Sequence, residues 1–138
     1  MAYFIDDFTN LLVSDPEILD HFSDTVYDET RVRILEGDLP MNIDEDVDWL
    51  RWTIEDVEQT FYAGQQQAAR STYVVILDVL GPDANQIKRT TDWLADKITQ
   101  TQRSGNIHSI YMAGKSYGIY EDRKMGVGIL TLRVVWVN

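Results

Sequence analysis

Cysteine is absent from the 138 residues, which removes disulfides, thiolate metal sites and cysteine nucleophiles together. Stability must therefore come from packing or from neighbouring subunits, and the absence weakly favours a reducing compartment. Long hydrophobic runs are missing as well. No stretch approaches the roughly 18 apolar residues of a membrane span, and the opening MAYFIDDFTN carries acids where a secretion signal carries bases. The expectation is a soluble chain with no membrane partner, cytosolic when made. Proline is scarce, at three residues, and basic residues are scarce in one half only. Residues 1–58 hold 17 of the 23 acids and just Arg31, Arg33 and Arg51 among the bases, a local charge of −14, against +3 for residues 59–138. So acidic a surface repels phosphate backbones over about a Debye length of 8–10 Å. Either the acids form a plain solvated face, or an acidic half meets a mildly basic one head to tail in an assembly.

What is present is enough apolar material, 44% of the chain, for one core in a single domain spanning residues 1–138. Phe4, Phe8, Leu11 and Leu12 recur at the spacing of one helical face, predicting an amphipathic helix over residues 2–13. In the following SDPE, Asp15 caps a short second helix with Pro16 at its first position, and Ile18, Leu19 and Phe22 give it an apolar side. Residues 30–36, TRVRILE, read as one short strand with Val32 and Ile34 on one face, stopped by Gly37-Asp38-Leu39-Pro40.

The stretch WLRWTIEDVEQTF carries two periods at once. Val47, Leu50, Ile54, Val57 and Phe61 lie on one helical stripe, while Leu50, Trp52 and Ile54 alternate with Trp49, Arg51 and Thr53 as on a strand. Residues 72–80, TYVVILDVL, settle the choice. They are apolar on almost both faces, as in a central strand, and Gly64 with Gln65-Gln66-Gln67 supplies a turn between the two segments. Residues 49–62 are therefore expected to be one arm of a long hairpin, its distal half, 55–62, reaching toward a neighbouring subunit. After Gly81-Pro82, Asp83 and Gln86 form a capping box. Ile87, Thr91, Leu94 and Ile98 then mark the buried face of a helix to about residue 102, closed by Ser104-Gly105-Asn106. Residues 107–113 and 126–137 alternate as strands, with a polar, glycine-punctuated connection between them. The expected fold class is α+β, a mostly antiparallel sheet with a long β-hairpin, packed against an N-terminal helix and one central amphipathic helix.

No catalytic constellation is visible. His21 and His108 stand apart without HxxH spacing. Asp44-Glu45-Asp46-Val47-Asp48 lacks the glycine and distal glutamate of a calcium loop, so it reads as a solvated acidic loop, with a weak cation site as the alternative. Gly126-Val127-Gly128 enters a strand instead of opening a helix, the wrong setting for a phosphate loop. No catalytic residue, metal ligand or cofactor is assigned. The four tryptophans and seven tyrosines are a mixture of core filler and subunit anchors.

The succession DWLRWTIEDVEQTFYAG, then QQQAARSTYVVILDVLGPDANQIKRTTDWLADKI, then a late strand pair, resembles the tail terminator (tail completion, neck) proteins of long-tailed bacteriophages. Local order carries the resemblance: a hairpin tip near Gly64, Arg70 leading into an apolar strand, a Gly-Pro turn, and a helix containing Leu94-Ala95-Asp96. A VRIxEGDLP-like strand over residues 32–40, after an N-terminal helix, also suits the family. The likeness spans most of residues 3–137. It implies a non-enzymatic virion protein, made in the host cytoplasm, that forms a ring, usually a hexamer. Such a ring caps the tail tube protein, presents a surface to the head-tail connector, and passes DNA through its lumen without specific binding. Trp52, Tyr62 and Arg70 are the candidate oligomer-interface residues, with Trp52 and Tyr62 expected to be exposed. Two competing functions stand beside it. One is another head-tail connector or minor tail protein. The other is a monomeric acidic binding module such as a DNA-mimic inhibitor, against which the positive balance of the second half counts.

Overall fold

The computed structural model describes residues 3–40, 42–61, 63–64, 70–100, 105–120 and 125–137. Helix α1 (Phe4–Ser14) buries Phe4, Phe8, Leu11 and Leu12, and places Asp6 and Asp7 in its first turn, where the helix dipole favours negative charge. It ends at Asp15, whose carboxylate accepts from the backbone N–H of Glu17 at 3.0 Å and of Ile18 at 3.3 Å, starting α2 (Pro16–His21). Both helices stand where the sequence places them.

The segment expected as one strand over 30–36 is instead broken in the middle. β1 (Ser23–Val26) and β2 (Glu29–Val32) form a separate antiparallel hairpin, while β3 (Ile34–Glu36) runs parallel to residues 50–52 in the main sheet. The break is at Arg33. The residue is 5% exposed, and its guanidinium donates to the backbone carbonyls of Asp48, of His21 at 3.1 Å and of Ser23 at 3.4 Å. An inward guanidinium held by three carbonyls fixes the point where the chain leaves one sheet for the other, and burial lowers its pKa from the ordinary arginine value. Val32 is consequently exposed and does not share a buried face with Ile34.

β4 (Trp49–Thr60) and β5 (Arg70–Gly81) make the long hairpin, with a bulge between Ile54 and Asp56. The strand period prevails over the helical one because β5 pairs with the inner edge of β4 from Trp49 to Thr60, Glu55 at the bulge excepted. α3 (Ala84–Gln100) follows, with the Asp83 carboxylate accepting from the N–H groups of Asn85 and Gln86. β6 (Ile107–Tyr120) and β7 (Met125–Val137) complete a five-stranded sheet of order β3-β4-β5-β7-β6, antiparallel except for β3. The fold class is α+β, as expected.

A second correction concerns the stretch expected as a connection between 114 and 126. β6 continues through residues 114–120, pairing Lys115 with Leu130, Tyr117 with Gly128 and Tyr120 with Met125. Gly114 stands at the register shift after Met112, a bulge position that suits glycine, and Gly118 pairs with Val127 within the ladder. Its far half is latched to α3, where the Asp92 carboxylate takes Lys115 Nζ at 2.8 Å and the Tyr117 hydroxyl. These contacts, Lys115 first, hold the Asp92 carboxyl below the usual carboxylate range. The Tyr117 phenol is pushed up by its bond to Asp92.

One sheet face is covered by the helices. Leu50, Trp52, Val75, Leu77, Val79, Leu130, Leu132, Val134 and Trp136 meet α1, α2 and α3 in one buried cluster. The Phe4 ring stacks on Tyr73 at 3.7 Å, and Asp7 ties α1 to the sheet by accepting from Trp136 Nε1 at 2.8 Å and from the Asn106 N–H at 2.9 Å. The fit over β7 is close. A Cβ on Gly128 would overlap Thr91, a stiff β-branched residue whose hydroxyl donates to the Ile87 carbonyl at 2.7 Å. Gly128→Ala is therefore expected to lift α3 from the sheet at about 1–3 kcal/mol, read as a lowered denaturation midpoint. An unchanged midpoint would show that Thr91 moves aside freely.

Candidate assembly surface

The opposite sheet face is closed only at one end. There Trp49, Leu80 and Met125 pack with Leu35, Leu39, Ile43, Val47 and Val127, and Trp49 Nε1 donates to the Asp44 carbonyl at 2.8 Å, so Leu39, Ile43, Asp44 and Val47 roof this corner. Next comes the Arg51–Asp78 ion pair, in which Asp78 is 7% exposed. Beyond it no helix among the described residues lies on the sheet. The cross-strand rows are Ile76 with Thr131, Val74 with Arg133, Thr72 with Val135 and Arg70 with Val137, continued onto β4 by Glu58 opposite Thr72 and Thr60 opposite Arg70.

These rows enclose a shallow groove of about 290 Å³, lined by Glu58, Thr60, Arg70, Thr72, Tyr111, Arg133 and Val135. Its volume falls just under the range of about 300–1,000 Å³ usual for small-molecule sites. Its lining is two arginines against one glutamate, with an exposed tyrosine at the rim. Among the described residues neither arginine has a carboxylate within salt-bridge distance.

Both sheet edges are open along much of their length. β3 pairs only with residues 50–52, so among the described residues no strand covers the outer side of residues 53–60, and β6 forms the other edge with Tyr111, Tyr117 and Ile119 exposed. Unpaired edges of this length are templates for another chain.

The three sequence-derived interface candidates separate. Arg70 is exposed at the mouth of the groove, where a partner could reach it. Trp52 is 1% exposed, its ring 4.8 Å from Phe8, and belongs to the core; its alternation with Arg51 and Thr53 points it toward the helices, which corrects the expectation of an exposed aromatic. Tyr62 lies outside the described residues, as do Gln65, Gln66 and Gln67 of the expected hairpin tip. His21 faces Asp48, with Nε2 3.0 Å from the carboxylate, and His108 is exposed on β6. The acids of the 44–48 loop do not converge, since Asp44 reaches Arg31 while Asp48 reaches His21.

The sequence reading missed the β1–β2 hairpin. Its turn is Tyr27-Asp28, with φ of 52° and 64°, both in the left-handed region. Two-residue hairpin turns need that geometry to follow strand twist, but glycine or asparagine normally supplies it, so no turn signal was legible. Tyr27 is 96% exposed. The hairpin stem is braced by Arg31, whose Nε and Nη2 donate to the Asp24 carboxylate at 2.8 and 2.6 Å. That bond holds the Asp24 carboxyl below its ordinary 3.8. A carboxyl depressed in the folded state stabilises above its unfolded pKa and ceases to as pH falls through its folded one. The hairpin is therefore expected to loosen only below about pH 3.8. NMR titration of the Asp24 carboxyl carbon checks this, and a midpoint at or above the ordinary value would contradict it.

No family model and no curated protein matches the chain. Among solved structures its fold is similar to that of a chain in the virion of a native gene transfer agent (GTA) particle. The TM-score is 0.57 and the identity 14%, over 77% of this chain and 79% of that one. At that identity the likeness speaks for the fold alone.

Proposed function

We propose that this chain is a structural virion protein of a tailed, phage-like particle, and within it the ring-forming tail terminator subunit. The fold shared with a virion-particle chain over 77% of the length is the observation that carries the coarser reading. The finer one adds the resemblance over most of residues 3–137 and the surface just described. A subunit with one uncovered sheet face, two open edges and opposite charge balance in its two halves is suited to heterologous contacts that close into a ring. Such a ring, usually of six, caps the last ring of tail tube protein and offers the head-tail connector a docking face. It needs no catalysis, metal or cofactor. DNA passes through without specific binding, because the net charge of −11 repels phosphate. The protein then resides in the tail or neck of the virion after assembly in the host cytoplasm.

Light scattering of the purified protein, with negative-stain imaging alone and with assembled tails, tests this. A ring, in solution or only on tail ends, is expected; a strict monomer that never caps a tail overturns the reading.

A further inference from the structure

The β1–β2 tip and the groove on the open sheet face are complementary, and no contact between described residues occupies either. The tip presents Tyr27, followed by the exposed carboxylates of Asp28 and Glu29. The groove offers Arg70 and Arg133 for two carboxylates, Tyr111 and Val135 as apolar walls, and a space of about 290 Å³, too shallow for most metabolites and sized for one large side chain with its neighbours. Tyrosine is among the side chains most often found as interface anchors.

The backbone at the tip points the same way. The Cβ of Tyr27 is crowded in the left-handed region, which Asp28 tolerates better and Asn-Gly would adopt with little strain. Strain kept at an exposed position, on a hairpin braced by Arg31 and Arg33, is the pattern of a site shaped for contact.

We infer that the Tyr27-Asp28-Glu29 tip of one copy inserts into the Arg70–Arg133 groove of the next copy. The occupant is a second copy of this chain, on the ground of charge: the tip belongs to the half of the molecule at −14, and the groove sets Arg70 and Arg133 against the single carboxylate of Glu58, which among the described residues lies within salt-bridge distance of neither. Tip and groove are different surfaces, so the contact is heterologous and propagates head to tail until it closes. The inference rests on the ring reading above and adds its register.

Two variants test it, each melted alone as a folding control. The tip variant, Tyr27→Asn with Asp28→Gly, relieves the strained turn. It should melt higher than wild type yet self-associate at least about tenfold more weakly. The groove variant, Arg70→Glu with Arg133→Glu, should also lose self-association. Mixed, the two should form a one-to-one dimer and stop there, because the tip variant keeps its groove and the groove variant keeps its tip. Association is read by light scattering, or as ring formation on tail ends if wild type assembles only there. If wild type forms rings and both variants do too, the tip-in-groove contact is wrong while the ring reading stands. If each variant fails but their mixture gives no dimer, tip and groove do not meet each other, and the inference falls. If wild type itself never forms a ring, in solution or on tails, the ring reading falls and takes this contact with it.

Discussion

Trp52→Ala is expected to remove about 3–5 kcal/mol of folding stability, a large share of the roughly 5–15 kcal/mol that holds a domain together. The side chain is 1% exposed, and its ring lies 4.8 Å from Phe8 and edge-on to Phe4 at 6.5 Å, so truncation opens a cavity between α1 and the middle of β4. Neither side can easily collapse into that space. Asp7 fixes α1 to Trp136, and the register with β5 fixes β4 at Leu77. Urea denaturation followed by circular dichroism should show an earlier midpoint in the monomer, whatever its assembly state. A wild-type midpoint with lost assembly would return Trp52 to the interface, where the resemblance to ring-forming subunits places it.

Arg33→Ala should cost a similar amount, about 3–5 kcal/mol from three acceptors left unsatisfied at about 1–3 kcal/mol each, but with a different distribution. Removing the guanidinium leaves the carbonyls of His21, Ser23 and Asp48 without their donor in a place water reaches poorly. These three carbonyls belong to α2, β1 and the strand-leading loop, so the loss should be local as well as global. Amide exchange is expected to accelerate first in residues 23–32, which no main-sheet strand holds in place. Arg33→Lys should rescue little, because a single ammonium on a flexible stem does not reproduce the fork that spans separated acceptors. Unchanged exchange in the hairpin would show that Arg33 is a passive core residue and that something else sets the sheet switch.

The two substitutions mark where one-dimensional reading works and where it stops. Asp15 and Asp83 were legible as caps because a cap is a contact between residues two or three apart. The face of α3 was legible because Ile87, Thr91, Leu94 and Ile98 sit on one side of any helix formed there. The long arm was legible through its partner, since only a strand could pair with residues 72–80. Arg33 was not. A charged residue between Val32 and Ile34 looks like the solvent side of a strand, and only carbonyls contributed by residues 10 to 15 positions away make it an interior one. Gly114 and Gly118 misled for the opposite reason: glycine signals a turn when nothing else is known, yet here Gly114 stands at a bulge and Gly118 within the ladder of a strand latched by Asp92.

The candidate surface divides in the same way. Arg70 was singled out in the sequence and is exposed at the groove, but its companions Glu58, Tyr111 and Arg133 come from three other strands. The Tyr27 tip carried no turn signal at all.

By itself the sequence determined the three helices, the hairpin arm, the α+β class and the charge division between the two halves, because each follows from spacing along the chain or from composition. The tertiary structure alone decided which face each tryptophan takes, where one sheet gives way to the next, and which arginines share a groove. Those depend on residues far apart in sequence meeting across strands, and burial and hydrogen-bond satisfaction at such meetings have no period that a linear reading can detect.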